Sequence, residues 1–324
     1  MPIMTRWQPA RPPRRPARRI VLTGALSALA LLAAGCSRGA TTMTTANGTT
    51  VVNAIGAENE YANVLSQIGG RYVHVTAILN NPNTDPHAFE ASPRVAQEVS
   101  SAGLIVQNGV GYDTWISNME TASPNQGRKV IVAQHLLGLP DTTPNPHLWY
   151  DPKTMPVVAR AMASDLSALL PAHAAYFRAN LAAFDRSLAP WLDAIARFKA
   201  RYAGVPVATT EPVADYLLQA MGAVNLTPFG FQAGIMSGHE PAPQDIALEN
   251  GFFTRHKVKV FAYNQQVVSS LTTSIRDTAL AAGTPVVGVY ETMPTPGYTY
   301  QSWMLAEVNA LQKAVASKIS TEKL

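Results

Sequence analysis

Short apolar runs alternate with longer amphipathic segments from about residue 50 onward. In the first half of this region, β-branched runs predict buried parallel strands, and segments of helical length separate them. The predicted strands are residues 51–55, 73–78, 104–107 and 129–132, and the predicted helices are residues 61–68, 93–101 and 114–119. This alternation indicates βαβ units and a mainly parallel sheet flanked by helices.

The same alternation begins again after residue 204. The strands predicted there are residues 206–209, 223–226, 258–263 and 285–289, and the predicted helices are residues 212–221, 243–255, 271–282 and 300–317. The chain is therefore predicted to be an α/β protein with two lobes, an N-terminal lobe over residues 51–171 and a C-terminal lobe over residues 203–324.

The segment between these lobes, residues 172–202, has few glycines and an apolar period of about 3.6 residues. Phe184, Leu188 and Trp191 are among the residues that fall near one face. The pattern predicts one long helix, and roughly 30 helical residues at about 1.5 Å each span roughly 45 Å. We expect this connector to be a rigid rod that limits hinge motion.

The N-terminus has the pattern of an export signal. Six arginines precede an apolar run at residues 20–34, and this run ends in Gly35-Cys36. The chain's one cysteine follows Ala33-Ala34-Gly35, which resembles a bacterial lipobox, so we predict that residues 1–36 are a signal peptide and that Cys36 is lipidated. A short transmembrane anchor is the alternative, but about 15 apolar residues is fewer than the ~20 that span a bilayer. Arg18-Arg19 leaves twin-arginine export open as a second route.

Composition after the signal narrows the function further. Cleavage changes the formal net charge from +4 to −2, because the signal carries six arginines and no acid. A slightly acidic protein is a poor partner for nucleic acid. Residues 37–50 are mostly small and polar, which predicts a flexible tether to the membrane surface. With Cys36 lipidated, the chain would have no disulfide and no thiolate metal site, and we predict a monomer anchored outside the cytoplasm.

Two histidines occupy matching loop motifs. Asp85-Pro86-His87 and Asn145-Pro146-His147 each close a short polar loop, although the chain has only seven histidines. Proline fixes its own φ and restricts the residue before it, so each histidine follows a stiffened backbone. A single such residue is more often a structural loop histidine, but two in matching settings favour a pair of metal ligands.

Two glutamates stand at the corresponding places in the second lobe. Glu211 directly follows the predicted strand 206–209, and Glu291 follows the predicted strand 285–289. Open α/β sheets usually bind ligands at the carboxyl ends of their strands. Two neutral imidazoles and two carboxylates would balance the charge of a divalent ion. Imidazole disfavours calcium and magnesium, and the oxygen share favours manganese, iron(II) or zinc over copper.

At this point the sequence resembles a known family, the metal-specific solute-binding proteins (cluster A-I) of bacterial ABC importers for zinc, manganese or iron. The resemblance covers nearly all of residues 50–318. The matching segments are Asn83-Thr84-Asp85-Pro86-His87, Asn108-Gly109-Val110-Gly111 with Trp115, Pro146-His147-Leu148-Trp149 with Asp151-Pro152, and Glu240-Pro241.

The resemblance implies a metal site and a function. The family's four ligands fall on His87, His147, Glu211 and Glu291, the third being a histidine in many zinc members and a glutamate in many manganese members. It implies a receptor that carries one Zn²⁺ or Mn²⁺ ion, with Fe²⁺ as a further candidate, to the membrane subunits of an ABC permease. One departure is that residues 120–146 lack the His- and Asp-rich loop of many zinc members and contain a single histidine, His135.

Residues near these ligands have supporting roles in this prediction. Asp85 and Asn145 are expected to orient the neighbouring imidazoles, and Trp149 is expected to wall the site. His239, in the polar loop 237–240, is a candidate transient metal contact.

Two other classes of function stay open. A metallohydrolase would use a similar His/carboxylate zinc site, but the chain has no His-Glu-x-x-His or Gly-x-Ser-x-Gly motif, so we predict no enzyme activity. A surface adhesin is the second alternative, and it would not need the four-ligand set.

Overall fold

Helices and strands alternate through the molecule and group into two sheets in the computed structural model. The structure describes residues 42–44, 50–83 and 85–324, which fall within one compact unit, Arg38–Leu324. The predicted signal peptide, Cys36 and most of the predicted tether lie outside the described residues. No helix in the described part combines the length and the apolar character needed to cross a membrane.

The described residues of the N-terminal lobe form a five-stranded sheet that is parallel except for its first strand. The strands are β1 (Thr42–Thr44), β2 (Thr50–Glu58), β3 (Val73–Leu79), β4 (Leu104–Gln107) and β5 (Lys129–Val132). The helices are α1 (Asn59–Gly69), α2 (Pro93–Ser101), α3 (Thr114–Ala122), α4 (Ala133–Leu136) and α5 (Thr154–Leu169). Strand β2 pairs in parallel with both β3 and β4, and β5 lies beside β4. The apolar sequence of β2 is buried because this strand lies inside the sheet.

The described residues of the C-terminal lobe form a four-stranded parallel sheet in the order β7-β6-β8-β9. The strands are β6 (Pro206–Thr209), β7 (Val224–Asn225), β8 (Val260–Asn264) and β9 (Val286–Val289). The helices are α8 (Asp215–Ala220), α9 (Phe229–Met236), α10 (Pro243–Thr254), α11 (Ser270–Ala281) and α12 (Tyr300–Ser317). Because β8 lies between β6 and β9, the loops that follow β6 and β9 flank the end of β8. The prediction of an α/β fold with two lobes is confirmed.

The connector differs from the single helix that the sequence predicts. It consists of α6 (Ala174–Ser187) and α7 (Ala189–Tyr202), which a break at Leu188 separates. Pro190 has no N–H and cannot donate to the carbonyl four residues earlier, so the hydrogen-bond ladder is interrupted there. At the break itself, the Leu188 N–H donates to the Asp185 carbonyl, at 3.4 Å and only three residues back. The prediction of one uninterrupted helix is wrong at this position.

Part of the predicted tether is ordered. Thr42–Thr44 forms β1, which pairs antiparallel with the start of β2, with Thr42 opposite Val52. The prediction of a flexible tether is therefore wrong for these three residues. Their pairing covers backbone groups at the start of β2.

The hydrophobic core is continuous between the lobes. A single cluster of buried apolar side chains includes Val52 of the first sheet, Trp191 of α7, and Val287 and Trp303 of the second lobe. Polar contacts reinforce it, since the hydroxyl of Tyr300 at the start of α12 donates to the carbonyl of Trp149 at 2.7 Å. The core therefore includes side chains from both lobes and from the connector.

Candidate metal centre

His87 lies just beyond β3, in a one-turn 3-10 helix at Pro86–Ala88. The Asp85 carboxylate caps this turn by accepting a hydrogen bond from the His87 backbone N–H at 2.8 Å. Pro86 occupies the first position of the turn, where a missing N–H costs nothing. The imidazole is held at the rim of the site, with 25% of the side chain exposed.

His147 is fully buried, and Asn145 fixes both its backbone and its ring. Asn145 Oδ1 accepts from the His147 backbone N–H at 3.0 Å and lies 2.8 Å from the ring Nδ1. Because this oxygen is only an acceptor, Nδ1 carries the proton and Nε2 offers a lone pair. The ring of Trp149 packs edgewise against the imidazole, with centroids 5.5 Å apart. Asn145 thus sets the tautomer that a metal ligand needs.

Glu291 brings the two histidines together from the second lobe. It follows β9, and its backbone N–H donates to Gln266 Oε1 at 2.6 Å. Its Oε2 lies 3.1 Å from His87 Nε2 and 3.2 Å from His147 Nε2. One candidate ligand atom from each of these three ionisable side chains lies within 4.8 Å of the others, and the described residues contain no other such cluster of three histidine, cysteine or carboxylate side chains.

Glu211 lies beside this cluster but is not a member of it. It follows β6, it is buried, and its Oε2 accepts a hydrogen bond from Asn264 Nδ2 at 2.5 Å. The same Nδ2 donates to Glu291 Oε1 at 2.7 Å, so one amide links the two carboxylates. Glu211 Oε1 is buried without a hydrogen-bond partner. The structure therefore places Glu211 next to the three other predicted ligands, with one oxygen unused.

Burial and mutual contact shift the pKa values of all four side chains. Burial lowers the pKa of His87, but the hydrogen bond and charge of Glu291 outweigh it and raise that pKa to about 9. For the fully buried His147, burial prevails and the pKa falls. Burial raises the pKa of Glu291, but both histidines outweigh it and hold that pKa far below its usual range. Burial and then the nearby charge of Glu291 raise the pKa of Glu211.

The remaining predicted residues have different fates. Asp85 contacts the backbone of His87 and not its ring, so it shapes the loop. Trp149 walls the site, being fully buried against His147 and Tyr112. His239 lies in the exposed loop between α9 and α10, and it is not part of the cluster formed by His87, His147 and Glu291.

Two residues at the site were not predicted in their roles. Asn264 links the glutamates, and Tyr112 donates its hydroxyl hydrogen to Glu291 Oε2 at 3.0 Å.

Tyr112 follows residues 109–111, whose φ values of 83°, 55° and 76° are all positive. A positive φ is unusual for the β-branched Val110, and its N–H is held by Gln134 Oε1 at 2.6 Å. Burial raises the pKa of Tyr112, so its phenol stays a neutral donor.

The donor set fits a divalent transition-metal ion. Two imidazole Nε2 atoms meet a carboxylate oxygen, and a second carboxylate oxygen nearby lacks any partner in a buried setting. An unpaired buried carboxylate oxygen is costly, and a bound cation would remove that cost. Mixed nitrogen and oxygen ligands suit zinc, manganese or iron(II) better than calcium or magnesium. The ion would be the protein's cargo.

A two-lobed α/β fold that brings histidines and carboxylates together where its sheets meet defines a class, the metal-binding receptors. The model of the family described as "ZnuA: Zinc-uptake complex component A periplasmic" matches residues 57–314. This is most of the chain, and the chain therefore belongs to that family, whose members are solute-binding proteins of metal uptake systems.

Individual relatives agree with this assignment. The chain is 25% identical over 243 residues to "Zinc-binding protein TroA" of Treponema pallidum, covering 72% of this chain and 75% of that protein. It is 27% identical over 173 residues to "Manganese-binding lipoprotein MntA" of Halalkalibacterium halodurans, covering 53% and 57%. The solved structure of the periplasmic zinc-binding protein TroA matches with a TM-score of 0.67 at 19% identity, covering 82% of this chain and 99% of that one. The structural match shows the shared fold.

Proposed function

We propose that this protein is an extracytoplasmic receptor that captures one divalent transition-metal ion, zinc or manganese, between its lobes and delivers it to an ABC-type membrane permease. The observation that carries the proposal is the approach of His87 Nε2 and His147 Nε2 to one oxygen of Glu291, beside the unpartnered oxygen of Glu211. The zinc-binding protein TroA and the manganese-binding lipoprotein MntA, to which the chain is similar, support the same cargo.

Each lobe would contribute two of the four metal ligands. His87 and His147 supply neutral nitrogens from the first lobe, and Glu211 and Glu291 supply negative oxygens from the second. Two negative charges balance a divalent cation, so the buried complex is neutral and loses little on leaving water. Since the ligands come from both lobes, an ion bridges them, and release to a permease requires that His87 and His147 part from the glutamates.

The same site argues against hydrolysis. A catalytic zinc keeps an open position for water, whereas structural sites use four protein ligands. Four ligands from this chain would leave no such position, as expected of a receptor that holds and releases its ion intact.

The sequence of the N-terminus indicates where in the cell the protein works. We propose that Cys36 is lipidated and that the protein works as a monomer anchored to the outer face of the cell membrane. The lipobox-like sequence Ala33-Ala34-Gly35-Cys36 carries this part of the proposal, and MntA bears the name of a lipoprotein.

The direct test is a metal titration of the purified, chelator-stripped chain. We expect one zinc or manganese ion per chain and a rise in melting temperature, because an ion that binds only the folded state stabilises it by about 2.7 kcal/mol at 100 times its Kd. Glu211→Ala and His87→Ala should abolish the rise. His74→Ala, a change at an exposed histidine of β3, is the matched control and should leave it intact. Absence of any shift with divalent metals would overturn the receptor assignment.

A further inference from the structure

Asn264 occupies a position that the sheet topology creates. It is the last residue of β8, which lies between β6 and β9. Glu211 follows β6 and Glu291 follows β9, so the two predicted carboxylate ligands flank the end of β8. Asn264 is fully buried at this point.

The orientation of the Asn264 amide is determined by its neighbours. Its Oδ1 accepts from the Gln266 backbone N–H at 3.0 Å, and only an oxygen can accept there. Its own backbone N–H donates to Thr210 Oγ1 at 2.9 Å, which fixes the main chain as well. The NH₂ group must therefore face the carboxylates.

Both NH₂ hydrogens are used on the glutamates. Asn264 Nδ2 donates to Glu211 Oε2 at 2.5 Å and to Glu291 Oε1 at 2.7 Å. The other two oxygens differ in their surroundings. Glu291 Oε2 faces His87 and His147 and also accepts a hydrogen bond from the Tyr112 hydroxyl, whereas Glu211 Oε1 has no hydrogen-bond partner. Each carboxylate thus has one oxygen engaged by the Asn264 amide and one oxygen that the amide does not contact and that can face an ion.

We propose that Asn264 is a specificity-determining positioning residue that restricts each glutamate to a single metal contact and so selects four-coordinate zinc over manganese. The inference rests on the proposed function, since it assigns the preferred cargo of the same site. Two single oxygens and two imidazole nitrogens make the four ligands of tetrahedral zinc. Manganese takes higher coordination numbers, which this chain could supply only if a glutamate bound through both oxygens.

The test compares zinc and manganese affinities in the full chain, purified in detergent, by competition with a chelator of known affinity. Asn264→Ala removes the amide and frees both engaged oxygens. We expect zinc affinity to fall by about 10-fold to 100-fold, as for other residues that orient metal ligands. Manganese affinity should fall less or rise, so the zinc-to-manganese affinity ratio should drop by at least about tenfold, or about 1.4 kcal/mol.

The second lobe offers a closely matched control. Asn225 ends β7 in the same sheet, its Nδ2 donates to Thr209 Oγ1 at 3.1 Å and Asp215 Oδ1 at 2.9 Å, and its Oδ1 accepts from the Thr227 N–H at 3.0 Å. None of these hydrogen bonds involves Glu211 or Glu291. Asn225→Ala should leave the zinc-to-manganese ratio unchanged. If Asn264→Ala weakens both metals by the same factor, or changes neither, Asn264 has only a structural role and the proposal is wrong.

A measurement on the unaltered chain can still overturn the proposal if Asn264→Ala does not fold. Cobalt(II) in place of zinc reports geometry directly, because four-coordinate cobalt absorbs visible light far more strongly than six-coordinate cobalt. Intense absorption is expected, and the weak bands of six-coordination would overturn the proposal. If the unaltered chain binds none of zinc, manganese and cobalt, the proposed receptor function is wrong. This outcome differs from six-coordinate cobalt, which would overturn only the proposal about Asn264.

Discussion

Metal binding by this chain should strengthen as the pH rises, because the ion must replace a proton on His87. The His87 Nε2 atom lies 3.1 Å from Glu291 Oε2, and its contact with this carboxylate raises its pKa to about 9. His87 is therefore protonated at neutral pH when no ion is bound. His147 is different, because burial lowers its pKa and keeps its ring neutral.

The size of the effect follows from these pKa values. Each pH unit below the pKa of a ligand costs about tenfold in apparent affinity, since the proton and the ion compete for one lone pair. Between pH 6 and pH 8 the apparent Kd for zinc should therefore fall by about 100-fold, with the change flattening above about pH 9. Glu211 acts in the same direction, because burial and the charge of Glu291 raise its pKa.

The assay is competition with a chromophoric chelator whose own pH dependence is known, at pH 6, 7 and 8. A weakly buffered sample containing a pH indicator should also show release of about one proton per zinc ion near pH 7. The chelator without protein is the control at each pH. A constant Kd between pH 6 and pH 8, or binding with no proton released, would show that the ion does not displace a proton from His87.

Three further changes test other parts of the structure. Asn145→Leu removes the acceptor of the His147 Nδ1 proton and should weaken zinc binding by about 10-fold to 100-fold in a chelator competition, whereas Asn145→Asp keeps an acceptor and should retain most of the affinity. His239→Ala should leave zinc affinity unchanged, and a tenfold loss would make this exposed histidine part of the site. Glu249 is buried, and burial raises its pKa to about 8, so it stays protonated in the folded protein while it ionises in the unfolded chain. Stability should then fall as the pH rises from about 4.5 to 8, and Glu249→Gln should lessen that fall in melting temperature.

Local pattern was sufficient for much of the fold. The strands β4 and β5 and the helix α12 have the bounds that the apolar periodicity predicts. These elements are short β-branched runs or long amphipathic segments, whose character depends on the residues themselves. The loops that carry His87 and His147 were equally readable, since proline constrains the backbone before any tertiary contact forms.

Other elements depend on partners that local sequence does not show. Thr42–Thr44 lies in a polar, low-complexity stretch, and its strand exists because the start of β2 offers backbone groups to pair with. The break at Leu188 is a different case, because the sequence itself contains its cause, Pro190. The apolar period continues across this proline, and the prediction of one helix followed the period. The helix α5 was not predicted, although its buried face packs into the core of the first lobe.

The site shows the same division between local and tertiary information. Glu211 and Glu291 were predictable as polar residues that follow apolar strands. Asn264 satisfies the same rule at the end of β8, but its role depends on β8 lying between β6 and β9. Strand order is a tertiary property, so a sequence reading finds the two carboxylates and misses the amide that links them.

We expect one transition-metal ion to bind between His87 and His147 of the first lobe and Glu211 and Glu291 of the second. Anomalous X-ray diffraction from crystals of the zinc-loaded protein, collected on both sides of the zinc absorption edge, locates the ion. We predict a single strong anomalous peak at about 2.0–2.2 Å from both histidine Nε2 atoms and from one oxygen of each glutamate. A peak at any other place, or a peak that Glu211 does not reach, would contradict it.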